Sequence, residues 1–457
     1  MKDNTRLPLI QVLAWASSGA ASMLVFGPAA GILPTIMAKN FGISMAAVGT
    51  ILLVQRLFDG VTDPLIGYLS DRTRTPMGKR KPWIIAGTLL MMIAAWQLFI
   101  PPQGAGTVHF MVWMLLVAMG WTMYEVPFNA WGAQLTGDYD ERSRIFAFRT
   151  AATVIGTILF MAAPMLPMFD TPEMTPEVLK FIAFCFIISM PFMVWAAVAL
   201  VPEGKEVSTE EKFSLKDIAV SLKQNRPFLN YVLLMLAMGI ASGIINTLIF
   251  PVMDAYLGIG DKFSAIMVAG TVCSLVSIPL WVKIIERLEK HKALFIGAVA
   301  ITLACFCFIF IPPGKAAFIP YMATMIVILF GNGVVNVTMG PMLADIVDYD
   351  IWKTGTSRGG FYFSALMLIS KLNMALGGAM GFFFLNLFGF DLNNTTHSHT
   401  AVIGVKVTFA LIPSLLLLLS AVIAWFYPID RKTQQQIRQA IEQKAAILTD
   451  HKANLQP

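Results

Sequence analysis

The sequence predicts an all-α membrane protein with twelve transmembrane helices in two pseudo-symmetric six-helix bundles. Three observations lead there. The chain has 457 residues, of which 57% are hydrophobic and 13% charged, whereas soluble proteins carry about 25% charged residues. Twelve apolar segments each reach the ~20 residues that a helix needs to cross a bilayer. A polar stretch at 203–226 divides those segments six and six. A soluble chain of this length would need charged surface over several domains, so the composition excludes a soluble enzyme, a nucleic-acid binder and a disordered scaffold. The pI near 9.0 arises from basic residues in short loops between apolar runs.

The segments run over 10–38, 45–70, 82–101, 107–136, 145–168, 178–202, 227–257, 263–288, 293–312, 316–347, 359–389 and 401–427. Gly and Pro interrupt several of them, which membrane helices tolerate. The expected organisation is an N-terminal bundle over 1–202, a linker over 203–226, a C-terminal bundle over 227–428 and a partly helical tail over 429–457. Alternate loops are basic. One set of ends carries Lys2, Arg6, Arg72, Arg74, Lys79, Arg80, Lys81, Arg142, Arg144, Lys283, Arg287, Lys290, Lys292, Lys353 and Arg358, with the linker and the tail. The other set carries Lys39, Lys180, Lys262, Lys315 and Lys406. By the positive-inside rule the termini and the linker are expected in the cytoplasm of a multi-pass cell (inner) membrane protein. The first apolar segment lacks a small-residue cleavage site and reads as a retained span.

Cys185, Cys273, Cys305 and Cys307 all lie in apolar segments and read as small packing residues, with neither a disulfide framework nor zinc spacing. His109, His291, His397, His399 and His451 are scattered and form no catalytic group. No nucleotide motif is present. The expectation is therefore a non-enzyme, without a cofactor, driven by an ion gradient rather than ATP.

A charge near the bilayer centre costs at least about 2.5–3.5 kcal/mol, so Arg56, Asp59, Asp63, Glu125, Arg149 and Lys371 need explaining. Asp59 and Asp63 are spaced i,i+4 and share a helical face with Arg56. An Arg56–Asp59 pair alone would merely orient the helix, but one arginine cannot neutralise two acids. In low dielectric, two such carboxylates need a proton or a cation between them. Asp59, Asp63 and Thr62 offer oxygen donors suited to a hard cation. On the fourth span, Thr122, Glu125 and Asn129 form one polar stripe beside Trp121, Tyr124 and Trp131, a surface fit to hydrogen-bond and stack a polyhydroxylated ligand. An aromatic belt explains the tryptophans near span ends but not Glu125. Arg149 lies near the start of its span, within reach of snorkelling to water. Lys371 lies deep in the eleventh span, near Ser370 and Asn373, where it would answer Glu125 or the acidic pair. Asp254, near the other end of the seventh span, reads as a gate or surface residue.

Two six-helix halves around a polar linker is the plan of the major facilitator superfamily. The end of span 4, Gly132-Ala-Gln-Leu135 then Asp138-Tyr-Asp140, is echoed at the end of span 10 by Gly340-Pro-Met-Leu343 then Asp348-Tyr-Asp350. Asp59-x-x-x-Asp63-Pro64, Gly67-Tyr-Leu-Ser-Asp71-Arg72 and Gly78-Lys-Arg-Lys-Pro82-Trp83 resemble the glycoside–pentoside–hexuronide:cation symporters, the melibiose permease group. So do Val126-Pro127-Phe128, Leu135-Thr136-x-Asp138-x-x-Glu141-Arg142, and Asp345-x-x-Asp348-Tyr349 with Thr354-Gly355 and Arg358.

The resemblance implies cation-coupled sugar import by alternating access. It implies a site for sodium or a proton at Asp59, Asp63 and Thr122, with Thr62 beside it. It implies a sugar site at Glu125, Arg149 and Lys371, bordered by Trp121, Tyr124, Asn129 and Asn373. The gating set expected with it is Arg56, Asp71, Arg72, Asp138, Glu141, Arg142, Asp345, Asp348 and Arg358, in which the Arg72–Lys81 loop pairs with Asp138 or Glu141 and Arg358 with Asp348. Three departures stand out: Thr62 replaces an asparagine, Asn129 replaces an aromatic, and Ser17–Met23 lacks the acid that holds a galactosyl group. They argue against melibiose and leave Arg149 and Lys371 facing Glu125, an arrangement that tolerates an anionic or amphiphilic sugar derivative. A lysolipid or other amphiphile on the same fold is the alternative cargo. The expected partners are the sugar, the cation and the bilayer, with no nucleic acid and a monomeric chain.

Overall fold

The structure, a computed structural model, describes residues 6–136, 139–204, 225–354, 359–392, 394 and 397–453. The described residues form fifteen α-helices. The first seven are α1 (Leu9–Gly31), α2 (Leu33–Phe41), α3 (Met45–Arg72), α4 (Lys81–Phe99), α5 (Thr107–Gln134), α6 (Tyr139–Ala162) and α7 (Pro176–Leu200). The remainder are α8 (Arg226–Pro251), α9 (Phe263–Leu288), α10 (Lys290–Cys307), α11 (Phe318–Thr354), α12 (Gly359–Leu387), α13 (His399–Val405), α14 (Ile412–Trp425) and α15 (Arg431–Ala453). Twelve stretches among them are long and apolar enough to cross a membrane, as the sequence predicts. Helices are the required form because the hydrocarbon offers backbone groups no other partner.

Helix ends follow local chemistry. Ser44, Thr175, Asn225 and Ser398 each accept a hydrogen bond from the backbone N–H three residues on, capping α3, α7, α8 and α13. The first predicted span is two helices rather than one. The chain breaks at Ile32 (φ −111°), between Pro28 and Pro34, because neither proline supplies a backbone donor. Beyond Pro251 the seventh span ends in a π-turn over Val252–Tyr256, and a second π-turn over Lys406–Leu411 joins α13 to α14. The tail is helical from Arg431. Asp430 caps it, accepting the Thr433 N–H at 2.7 Å, and hydrogen bonds from Thr433 hold its carboxyl below the usual carboxylate range. Arg431 then donates to the carbonyls of Ile285 and Glu286 at the end of α9, and Arg438 meets Asp348 of α11 at 3.3 Å.

In the first half α1 packs on α6 and α7, α5 on α3 and α4, and α4 on α7. In the second half α8 packs on α12 and α14, α11 on α9 and α10, and α10 on α14. The two halves meet through α3 with α12, α1 with α8 and α6 with α9. The contacts across that seam that involve named side chains lie toward the face opposite the chain termini. There Lys39 at the end of α2 bridges to Asp254 at 2.8 Å, and Gly49 packs under Ala379 and Phe382.

Packing without a hydrophobic drive between helices favours small residues at crossings. Gly87 of α4 and Gly120 of α5 form such a crossing. A Cβ on Gly87 would stand 2.6 Å from the Tyr124 backbone nitrogen and 2.7 Å from the Gly120 carbonyl oxygen. Gly340 on α11 has open space around it. Gly87→Ala is expected to lower the thermal stability of the detergent-solubilised protein by about 1–3 kcal/mol through overpacking, and Gly340→Ala to leave it unchanged; melting curves of the two purified variants check this.

Candidate functional site

Arg56, Asp59, Asp63, Glu125 and Arg149 lie on three helices of the first half. Asp59 and Asp63 stand one turn apart on α3, followed by Pro64, which helices of a bundle accommodate when neighbours re-satisfy the freed carbonyl. Asp59 is 8% exposed and its Oδ2 lies 3.2 Å from Nη1 of Arg56, one turn earlier. Thr122 of α5 donates its hydroxyl to Oδ1 of Asp63 at 2.7 Å. Thr122 and Asp63 are therefore brought together, with Asp59 one turn away on the same helix. Thr62 is placed differently: its hydroxyl donates to the Phe58 carbonyl of its own helix at 3.0 Å, the usual back-bond of a mid-helix threonine, and that proton faces the backbone.

Glu125, one turn beyond Thr122 on α5, is the second centre. Nη2 of Arg149 on α6 meets its Oε2 at 2.6 Å, and Nδ2 of Asn129 donates to its Oε1 at 2.9 Å. The expected stripe of Thr122, Glu125 and Asn129 is thus continuous, and Asn129 acts through the carboxylate. Arg149 does not snorkel. It is 7% exposed, and its guanidinium sits 4.5 Å from the Phe128 ring centroid and 5.2 Å from that of Trp15. Those apolar surroundings leave it fixed by one carboxylate and two rings, an arrangement in which a desolvated cation–π contact is strong.

A cavity beside these groups is lined by Val25 and Phe26 of α1, Gln55, Arg56 and Asp59 of α3, and Trp121 of α5. Trp121 stacks on Phe26 with ring centroids 4.5 Å apart. Tyr124 turns away from the cavity. It is fully buried, donates its hydroxyl to Ser18 of α1 at 2.8 Å and packs on Phe128. Asn373 of α12 likewise lies in a helix seam, donating to the Met235 carbonyl of α8 at 2.8 Å. The Tyr124 hydroxyl and the Asn373 amide nitrogen are thus paired with neighbouring helices, Asn373 Oδ1 is buried without a partner among the described residues, and neither residue lines this cavity. Lys371 stands two residues before Asn373 on α12, on a different face of that helix; its side chain lies outside the described residues. The cation that the structure places on Glu125 is Arg149.

The gating set divides. Arg56 belongs to the acidic pair. Arg80 goes to Asp71 at 2.7 Å and to Gln134 of α5, rather than to Glu141. Arg72 lies over the Tyr68 ring, and Arg142 donates to the Thr136 carbonyl. Glu141 accepts from Arg144 at 2.8 Å and from the Leu7 N–H, tying the N-terminal segment to α6. Asp345 meets Lys290 at 2.6 Å and Asp348 meets Arg438, both within the second half. Asp138 and Arg358 lie outside the described residues. Sequence reasoning missed Trp15, Phe128, Phe26, Gln55 and Ser18 as parts of this site, since apolar and small residues within apolar spans carry no separate signal.

Comparison with known proteins identifies the family and the fold. The family described as MFS/sugar transport protein matches residues 16–431. The glucuronide carrier protein homolog of Escherichia coli (strain K12) is 24% identical, covering 97% of this chain and 98% of its own. The inner membrane symporter YicJ of the same organism is 25% identical over 92% of each chain. The crystal structure of the nucleoside transporter NupG superposes with a TM-score of 0.64 at 14% identity, over 92% of this chain and 98% of that one, a likeness of fold. With twelve apolar spans among the described residues and a match over residues 16–431, the chain belongs to the MFS/sugar transport protein family.

Proposed function

We propose that the protein is a cation-coupled symporter that imports a sugar or sugar derivative by alternating access across the cell (inner) membrane, with both termini in the cytoplasm. The observation that carries this reading is the pair of adjacent charged centres on α3, α5 and α6. One is Asp59, Asp63 and Thr122; the other is Glu125 and Arg149, one turn further along α5. In this reading sodium or a proton at Asp59 and Asp63 relieves their mutual repulsion. Thr122 and Glu125 share a helix face, so loading of the first centre adjusts the second. The substrate then engages Glu125 and Arg149, with Trp121 as a stacking surface and Lys371 approaching from α12. Coupling follows because neither ligand alone stabilises the closed form.

The two halves rock about this centre. The Lys39–Asp254 bridge closes the seam on the face opposite the termini, so it must open for substrate to enter from outside. The polar stripe on α5 supports a hydroxylated cargo over a lysolipid. With the acidic pair satisfied by its cation, the sequence offers two cations, Arg149 and Lys371, against the single Glu125, which supports an anionic glycoside such as a uronide. The name of the glucuronide carrier homolog agrees with that choice.

Three measurements test the reading. Vesicles given methyl β-D-glucuronide, methyl β-D-galactoside and methyl β-D-xyloside, each under a sodium or a proton gradient, are expected to accumulate the glucuronide. Uptake of the neutral galactoside alone would overturn the anionic assignment. Asp63→Asn is expected to insert normally and to lose gradient-driven accumulation; normal accumulation would refute the cation site. Asp254→Asn is expected to expose the seam, seen as faster thiol labelling from outside of Thr35→Cys, a buried position beside the bridge, than when Asp254 is retained, while total expression is unchanged.

A further inference from the structure

Trp15 lies in α1, one helix away from any residue assigned above to cation or sugar, yet it touches all the elements that hold Arg149. It is fully buried. Its ring stacks on Phe128 of α5 at 5.0 Å and 17°, and Phe146 of α6 meets it edge-on at 5.3 Å. Phe146 lies three residues before Arg149 on α6, and Phe128 three residues after Glu125 on α5, so both partners of the ion pair share their helices with a ring packed on Trp15. The indole plane fits because residue 132 is glycine: a Cβ there would stand 2.2 Å from Cζ2 of Trp15.

Two unmatched polar atoms give this cluster its meaning. The indole nitrogen of Trp15 is buried with no acceptor among the described residues. A buried unpaired N–H is unfavourable, so a tryptophan at this position is explained by its ring face and size and not by a hydrogen bond. The second is Nη1 of Arg149, also buried and without an acceptor there, while Nη2 is held by Glu125. A guanidinium with one donor engaged, its face on two rings and another donor unmatched is pre-set to receive one more oxygen.

We propose that Trp15 is a positioning residue of the sugar site, which with Phe128 fixes the Arg149 guanidinium so that its second nitrogen is presented to a substrate oxygen. The proposal rests on the reading that Arg149 engages the substrate. Trp15 acts through Arg149 and makes no contact with the ligand. Because the rings pre-pay the ordering of a flexible side chain, their loss weakens substrate capture while turnover of the loaded carrier is retained.

The test uses the full-length protein in vesicles with the three methyl glycosides named above, reading Km and maximal rate for each one transported. Trp15→Phe keeps an aromatic face and is expected to hold Km within about twofold. Trp15→Leu is expected to raise Km about tenfold or more with the maximal rate little changed, the size of a lost desolvated cation–π contact. Phe186→Leu on α7, an equally buried ring, supplies the comparison for packing loss and is expected to leave Km unchanged. Placed on Arg149→Lys, the Trp15→Leu change is expected to add no further tenfold rise. The proposal is overturned if Trp15→Leu matches Phe186→Leu in Km, if Trp15→Phe is as damaging as Trp15→Leu, or if the two changes at Trp15 and Arg149 act independently. Unchanged Km in Arg149→Gln would instead remove the assignment of Arg149 to the substrate, and the proposal with it.

Discussion

A guanidinium buried among apolar helices needs partners for its charge, and around Arg149 the first half of the molecule supplies a carboxylate and two ring faces. The carboxylate comes from α5, the ring faces from α5 and α1, and the stem from α6. Removing one partner of such a pair leaves an uncompensated charge, which costs several kcal/mol. That penalty ties the relative positions of three helices to one interaction. Asn129 and Trp15 are then consequences: the first completes the carboxylate, the second completes the wall behind the arginine.

The acidic pair on α3 is organised on a different rule. Asp59 has a cation on its own helix and Asp63 has a hydroxyl from the next. Two like carboxylates are thereby given unlike neighbours, which separates their roles within one helical turn. Thr122 belongs to the acidic pair by contact and to Glu125 by helical face, so α5 is the element that joins the two charged centres.

The architecture was legible because the bilayer imposes a coarse and repeated signal: twenty apolar residues, a charged loop, and twenty more. Asp59, Asp63, Glu125 and Arg149 were legible for the converse reason, since an ionised group stands out against that background. What was not legible follows from the same physics. Trp15 and Phe128 look like any apolar residues of a span, and only the fold brings them to a cation. Tyr124 and Asn373 looked like ligand contacts because they are polar in an apolar segment, but in a bundle the neighbouring helix is as good a partner as a sugar. The break at Ile32 was hidden because hydropathy reports apolar length and not backbone direction. The pairing of Arg80 with Asp71 and of Asp348 with the tail was beyond sequence, because loop charges have many partners within reach of their long side chains.

The bridge between Lys39 and Asp254 joins the two halves of the molecule and lies at a water-exposed edge of the seam. The lysine is 44% exposed and the aspartate 15%, so the bond forms in contact with water and dissolved ions. A largely buried pair such as Arg149–Glu125 is screened much less by salt, whereas exposed charges are screened over a distance of about 8 Å at physiological ionic strength. The seam on that face is therefore weighted by the medium it borders: dilute surroundings hold the two halves together there, and concentrated electrolyte loosens them. The closure of the two halves on that face is thus sensitive to ionic strength, with no ligand involved.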